Sequence, residues 1–198
     1  MENQVKRKNY FIFVRDSLHE QVFPFDSLYQ GVLLAVYSIF CFFIPFLIGE
    51  PQLLVGTAVN ALLILSALEL QGWRLLPVIT FPSIGALSRG IVFGPFTPYL
   101  LMLIPFIWVG NAILVLSFKL LMLKMKKNFA ITLAAGAVGK SVFLFSSAFL
   151  LYSLSLIPTI FLTAMGFFQF ATALIGGAVA YAVFKAKVLN WNTLKGLQ

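Results

Sequence analysis

The fold class is decided by one uncharged apolar stretch, residues 28–49, which reads LYQGVLLAVYSIFCFFIPFLIG. About 20 mostly apolar residues in a helix are enough to cross the hydrocarbon core of a bilayer. A helix also satisfies its own backbone hydrogen bonds, which lipid cannot do for it. Similar stretches recur along the chain, in which 61% of residues are hydrophobic and only 10% are charged. The sequence therefore predicts an all-α, polytopic helical membrane protein.

Six stretches are long enough to be transmembrane helices, at about 28–49, 53–70, 75–96, 98–123, 129–151 and 159–184. The third is the least regular, and we predict a broken helix there. Its helix-disrupting residues are Pro77, Pro82, Gly85, Gly90, Gly94 and Pro95. A break at membrane depth is tolerated only where protein or a water-filled cavity covers the freed backbone groups. The third span should therefore line a cavity.

The distribution of Lys and Arg predicts the orientation of the chain. The N-terminal segment, the 124–127 loop and the C-terminal tail are basic, which favours a cytoplasmic location for all three. The 49–52 and 152–158 connections lack Lys and Arg and should be external. Residues 75–96 must then cross the bilayer. The predicted organisation is a cytoplasmic N-terminal segment over 1–27, a six-helix transmembrane domain over 28–185 and a cytoplasmic tail over 186–198.

Composition argues against several classes of function. The formal net charge is +8, but the basic residues cluster at helix ends, where they contact anionic lipid, so membrane lipid is an expected partner and nucleic acid is not. Cys41 and His19 are the only cysteine and histidine. We therefore expect no metal site and no cofactor, since haem and iron–sulfur centres need more ligands than these.

Charged residues at membrane depth are costly and mark candidate functional positions. Lys119 lies one turn from the basic loop and can extend its ammonium group to the membrane surface, so we assign it no functional role. Glu69 either has a role of its own or pairs with Arg74. Arg89 either lines a site or reaches the outer headgroups. Lys140, near the middle of the fifth span, either contacts a ligand or makes a structural bond to another helix.

Uncharged polar side chains reach similar depths on several of the predicted helices. Each alone would hold helices together, with a contribution of about 1 kcal/mol or less. Together they could form a polar site within the bundle. Two fixed positive charges without an adequate deep carboxylate favour an anionic or carboxylate-bearing ligand. The predicted ligand-binding residues are Asn60, Ser83, Ser88, Arg89, Trp108, Asn111, Lys140 and Gln169.

Residues 136–141, GAVGKS, are only superficially similar to a phosphate-binding loop. Ala134 stands where that loop requires glycine, and no strand precedes the segment. We interpret Gly136 and Gly139 as positions of close helix packing.

Small residues also recur four positions apart, a spacing that lets helix backbones approach closely. In the sixth span they should pack internally; these pairs are Ala173 with Gly177 and Gly176 with Ala180. In the first span, Gly31 and Ala35 could either pack internally or bind a partner helix.

The last span, AMGFFQFATALIGGAVA over 164–180, resembles the substrate-binding (S) components of energy-coupling factor transporters. The fourth span is similar in style, with IPFIWVGNA over 104–112. Size, six spans and cytoplasmic termini also fit this family. Its members often carry paired alanines four apart on the first helix, which dock the transmembrane coupling subunit. Gly31 and Ala35 occupy that spacing here.

The resemblance implies a multi-pass subunit in the cell membrane of a prokaryote. Such a subunit binds a small solute from outside and relies on a separate coupling transmembrane subunit and ATPase subunits. It is not an enzyme, and it is expected to move by toppling of the helix bundle in the membrane.

Two other classes of function stay open. One is an accessory or scaffold subunit of a larger membrane complex, in which buried polar groups only hold helices together. The other is an intramembrane hydrolase with Ser83 or Ser88 as nucleophile and Lys140 as base, a chemically possible pair. A self-sufficient channel is disfavoured, since no continuous polar stripe is evident.

Overall fold

The computed structural model describes residues 12–93 and 96–196, without the side chains of 91–93 and 194–196. Its helices are α1 Ser27–Leu47, α2 Gln52–Glu69, α3 Leu75–Phe93, α4 Thr97–Ser117, α5 Phe129–Ser153, α6 Ile160–Met165 and α7 Phe167–Gly196. Helix α4 is continued by a π-helical stretch, Phe118–Lys124, and α3 is preceded by a 3-10 turn, Gly72–Arg74. Residues 12–18 are also helical. The described ranges contain no strand. The predicted all-α fold is confirmed.

Within the described part of the chain, five helical segments are long and apolar enough to cross a membrane. These are Ser27–Leu47, Gln52–Glu69, Thr97–Lys124, Phe129–Ser153 and Ile160–Thr193. They correspond to five of the six predicted spans and agree with a polytopic membrane protein. The remaining one, α3, has 19 residues and packs along α1 and beside α4. Its crossing of the bilayer stays a prediction from the charges of the loops.

The predicted break in the third span is absent from Leu75 to Phe93, where α3 is continuous with Pro82 inside it. Gly94 and Pro95, also named as helix-disrupting, lie outside the described residues. Neighbouring helices can compensate the backbone bond that a proline removes from a transmembrane helix. Gly85 allows close packing instead of a break, since a Cβ there would lie 2.2 Å from the carbonyl oxygen of Phe42 on α1.

A break occurs instead in the sixth predicted span, between α6 and α7. Gly166 has φ −98° and ψ −91°, outside the helical region. A Cβ on Gly166 would lie 2.8 Å from Cδ2 of Phe145, so the break places bare backbone against an aromatic ring. The side-chain amide of Gln52 donates a hydrogen bond to the carbonyl oxygen of Ala164 at 3.3 Å. A polar side chain of α2 thus helps to cover the broken helix.

Glycines bring the central helices close together. A Cβ on Gly176 of α7 would lie 2.6 Å from the carbonyl oxygen of Thr57 on α2, and Ala173 and Ala180 are fully buried. A Cβ on Gly136 of α5 would lie 3.0 Å from Leu114 of α4. The packing interpretations of the last span and of Gly136 are therefore confirmed.

The N-terminal segment packs against one end of the bundle, where α3 begins and where the C-terminal part of α7 lies. The backbone N–H of Val22 donates to the carbonyl oxygen of Leu68 at 2.9 Å. The buried Phe23 ring lies 6.5 Å from the ring of Phe184 and 5.5 Å from that of Trp191. Helix α7 continues past residue 185 to Gly196, so both predicted terminal segments contribute structure to this end.

Candidate ligand-binding cavity

A cavity of about 620 Å³ lies within the bundle, a size typical of small-molecule sites. Gly49, Glu50, Phe96 and Arg89 line it at the end where α1 and α3 finish, which we call the mouth. Asn60, Asn111 and Lys140 line it near the middle of their helices, and we call these three residues the floor cluster. The rise along α2 from Gln52 to Asn60 places the floor about 12 Å below the mouth.

Lys140 joins the three helices of the floor cluster. Its ammonium group donates to Oδ1 of Asn60 at 2.6 Å and to Oδ1 of Asn111 at 2.9 Å. Only 2% of Lys140 is exposed. Among the described residues no carboxylate forms an ion pair with it. The positive charge is therefore held by two neutral amide oxygens at the bottom of a cavity.

The two amides are oriented by hydrogen bonds behind them. Nδ2 of Asn111 donates to the carbonyl oxygen of Ile79 at 2.9 Å, and a carbonyl can only accept. Nδ2 of Asn60 donates to Oγ1 of Thr172 at 3.0 Å, while that hydroxyl donates to the carbonyl oxygen of Phe168. Both amide oxygens must therefore face Lys140, so the two amides are oriented to accept hydrogen bonds from its ammonium group.

Six of the eight predicted ligand-binding residues line the cavity. They are Asn60, Ser83, Arg89, Asn111, Lys140 and Gln169. Ser88 and Trp108 are not among the lining residues. The hydroxyl of Ser88 donates to the carbonyl oxygen of Ile84 within its own helix. Nε1 of Trp108 donates to Oγ of Ser83 at 2.7 Å, so Trp108 positions a lining residue.

Arg89 lines the mouth and also caps a helix. Its Nη1 donates to the carbonyl oxygens of Phe46 at 3.2 Å and Leu47 at 2.8 Å, at the C-terminal end of α1. Cationic groups are favourable at that end of a helix dipole. Gly49 has φ +67°, and a Cβ there would lie 2.1 Å from Nε of Arg89. The left-handed glycine therefore leaves the space that the guanidinium occupies.

Several lining residues were missed by reasoning from the sequence. Glu50 falls in a connection, and Gln52 falls at the start of a span, so neither was expected at membrane depth. Phe161 and Met165 also line the cavity and lie on α6, just before the break at Gly166, which the sequence did not indicate. Apolar walls complete the site; they include Val55, Val59, Leu100, Ile107, Phe161 and Met165.

Of the two alternatives for Glu69, the pairing with Arg74 is wrong. Glu69 is fully buried and accepts hydrogen bonds from Nζ of Lys187 at 2.8 and 3.0 Å and from the hydroxyl of Tyr37 at 2.7 Å. Arg74 donates instead to Oγ of Ser27 at 2.8 Å. The sequence could not indicate that α7 extends far enough to bring Lys187 beside α2.

The prediction that Lys119 reaches the membrane surface is also wrong. Lys119 is fully buried and donates to the carbonyl oxygens of Leu70, at 2.6 Å, and Glu20. The physical reason is the N-terminal segment, which covers this end of the bundle and supplies the carbonyl of Glu20. Lys119 therefore ties that segment to the end of α2.

The serine–lysine pair of a hydrolase is not assembled. Oγ of Ser83 donates to the carbonyl oxygen of Thr80 at 2.8 Å and accepts from Trp108, while Lys140 bonds to amide oxygens.

Within 12–93 and 96–196, no group of three or more His, Cys, Asp or Glu side chains could hold a metal ion.

Gly31 and Ala35 lie on the outer face of α1. Both are exposed, and a Cβ on Gly31 would meet nothing within 4 Å. The alternative of internal packing is therefore excluded, and the partner-binding role stays a prediction.

Comparisons of the chain with family models, with curated proteins and with solved structures find no match.

Proposed function

We propose that this membrane protein is the solute-binding subunit of an importer of the energy-coupling factor type. In this proposal it binds a small anionic or carboxylate-bearing solute in the cavity. One observation carries the proposal: the ammonium group of Lys140 lies at the floor of a 620 Å³ cavity without a carboxylate partner among the described residues. That arrangement favours a negatively charged ligand.

The electrostatics of the bundle support an anionic solute. A Lys at bilayer depth costs several kcal/mol unless it is paired or hydrated. Glu69 does not offset the charge of Lys140, because it is paired with Lys187. Two amide oxygens offset the cost only in part, since they carry no net charge. An anion at the floor cluster would supply the missing countercharge.

The solute-binding subunit would depend on other chains for energy. The sequence holds no ATPase motif, so uptake against a gradient requires a coupling transmembrane subunit and ATPase subunits. We place the chain in the cell membrane of a prokaryote, with both termini cytoplasmic, from the resemblance and the charges of the loops. The exposed Gly31 and Ala35 on α1 supply a small-residue surface for the coupling subunit.

Affinity purification from the native membrane tests the assembly. We expect the coupling subunit and ATPases to copurify, and we expect Ala35→Leu to weaken that assembly without unfolding the chain. Ala135→Leu, at an exposed alanine of α5, is the matched control and should leave the assembly intact. ATP-dependent uptake by this chain alone in liposomes would refute the assignment.

A scaffold role is the second candidate, and the floor cluster itself is the observation that favours it. Its hydrogen bonds join α2, α4 and α5, which a purely structural polar network would also do. Constant copurification with redox or pump subunits, without any retained small molecule, would support the scaffold and exclude the solute-binding subunit.

A further inference from the structure

The hydrogen-bonding inventory of the floor cluster defines what a ligand there must offer. An ammonium group has three N–H donors, and each side-chain amide has two. Lys140 uses two of its donors, and Asn60 and Asn111 each use one. The remaining three N–H groups have no acceptor among the described residues. The floor cluster therefore has more hydrogen-bond donors than acceptors, and it is complementary to a ligand group that only accepts hydrogen bonds.

The charges of the lining limit the ligand to one negative group. Lys140 is the single cation of the floor cluster. At the mouth, Arg89 is accompanied by the carboxylate of Glu50, and Nη1 of Arg89 is committed to the carbonyls of α1. A second anionic group would therefore find no net positive charge there. A carboxylate has acceptor sites for all three of the open donors at the floor.

Apolar side chains line the space between mouth and floor. They come from α2, α4 and α6 and include Val55, Val59, Leu100, Ile107, Phe161 and Met165. The depth of about 12 Å, from the rise of α2, leaves room for an extended body beyond the carboxylate. Burial of an apolar body against these walls is favourable, because it removes apolar surface from water.

We infer that the solute is a monocarboxylate with an uncharged, largely apolar body, bound with its carboxylate at the floor cluster and its body toward the mouth. This inference rests on the proposed solute-binding function and specifies its ligand class. The inference excludes three other classes of ligand, namely dicarboxylates, phosphate esters of polar compounds, and amines.

A matched series of soluble compounds tests the ligand class on the purified chain. Phenylbutanoate is compared with phenylbutanamide, with phenylbutylamine and with the dicarboxylate suberate, by titration of the unfolding temperature in detergent. We expect phenylbutanoate to bind at least about tenfold more tightly than each of the others, since a charge-assisted bond is worth about that much. Lys140→Met should abolish the preference, and Lys185→Met, at an exposed lysine of α7, should keep it.

Each other result overturns the inference. Equal affinity for acid and amide would show that the floor does not select charge, and stronger binding of suberate or of the amine would assign another ligand class. Those results leave the solute-binding function standing. Failure of every compound to shift the unfolding temperature also overturns the inference. The proposed function fails with it only if purified protein retains no small molecule of any kind, as measured by mass spectrometry.

Discussion

Nζ of Lys140 on α5 lies 2.6 Å from Oδ1 of Asn60 on α2, and this bond closes the floor of the cavity. The bond joins a full charge to a neutral amide. It therefore fixes the position of the ammonium group without neutralising it. A fixed, uncompensated charge at the bottom of a cavity is what distinguishes a recognition site from a simple interhelical contact.

Replacing Asn60 with Leu should destabilise the protein, because the ammonium group of Lys140 stays buried with one acceptor fewer. We expect a loss of about 1–3 kcal/mol in the free energy of unfolding. The double variant Asn60→Leu with Lys140→Met should lose less than the sum of the single variants, since residues in one hydrogen-bond network couple. Denaturant titration in detergent measures the cycle. Strictly additive losses would mean that the bond contributes nothing.

The ion pair of Lys187 with Glu69 should matter far more than its position near the end of the chain suggests. Glu69 is fully buried, so Lys187→Met leaves its carboxylate with the Tyr37 hydroxyl as the remaining side-chain partner among the described residues. Lys187 itself is 38% exposed, so solvent screens part of the pair, and we expect a loss of about 1–3 kcal/mol, the cost of a buried polar group that loses one partner. Lys185→Met, two residues earlier and exposed, should change stability by less than about 0.5 kcal/mol. Similar effects of both substitutions in thermal unfolding would rule out this role.

Two helical glycines should respond oppositely to alanine. Gly176→Ala places a methyl group 2.6 Å from the carbonyl of Thr57, and overpacking of this kind costs about 1–3 kcal/mol. Gly31→Ala meets open space and should be neutral or stabilising by up to about 1 kcal/mol, from helix propensity. Unfolding temperatures of the isolated chain report both. Destabilisation by Gly31→Ala would place that residue at an internal contact after all.

The orientation of the chain can be checked with fused reporters. The basic loops predict a cytoplasmic signal after Gln198 and within the 124–128 loop, and an external signal near Ser155. As a control, the stability of each fusion is compared with that of the unfused protein and should be unchanged. An external signal from the reporter after Gln198 would mean that the mouth of the cavity faces the cytoplasm, which would remove the basis for uptake from outside.

The sequence predicted the helical membrane architecture and most of the polar lining, because apolar length and isolated deep charges are direct signals. It misplaced the broken helix, since Pro82 is accommodated within α3 whereas Gly166, one glycine among 14, interrupts the last span. The partners of Glu69 and Lys119 were also misjudged. Those partners come from chain segments distant in sequence, Lys187 and the N-terminal segment, and periodicity carries no information about such contacts.

The central claim is that Lys140 contacts the solute. The most direct measurement is mass spectrometry of small molecules retained by gently purified protein, carried out in parallel on the original chain and on Lys140→Met, with unfolding temperatures of both. We predict that the original chain retains an anionic solute. Lys140→Met should fold with an equal or higher unfolding temperature and should retain at least about tenfold less of it, the loss of a charge-assisted bond. A Lys140→Met protein that is less stable, yet retains the same solute in proportion to its folded fraction, would contradict the claim and make Lys140 a structural residue.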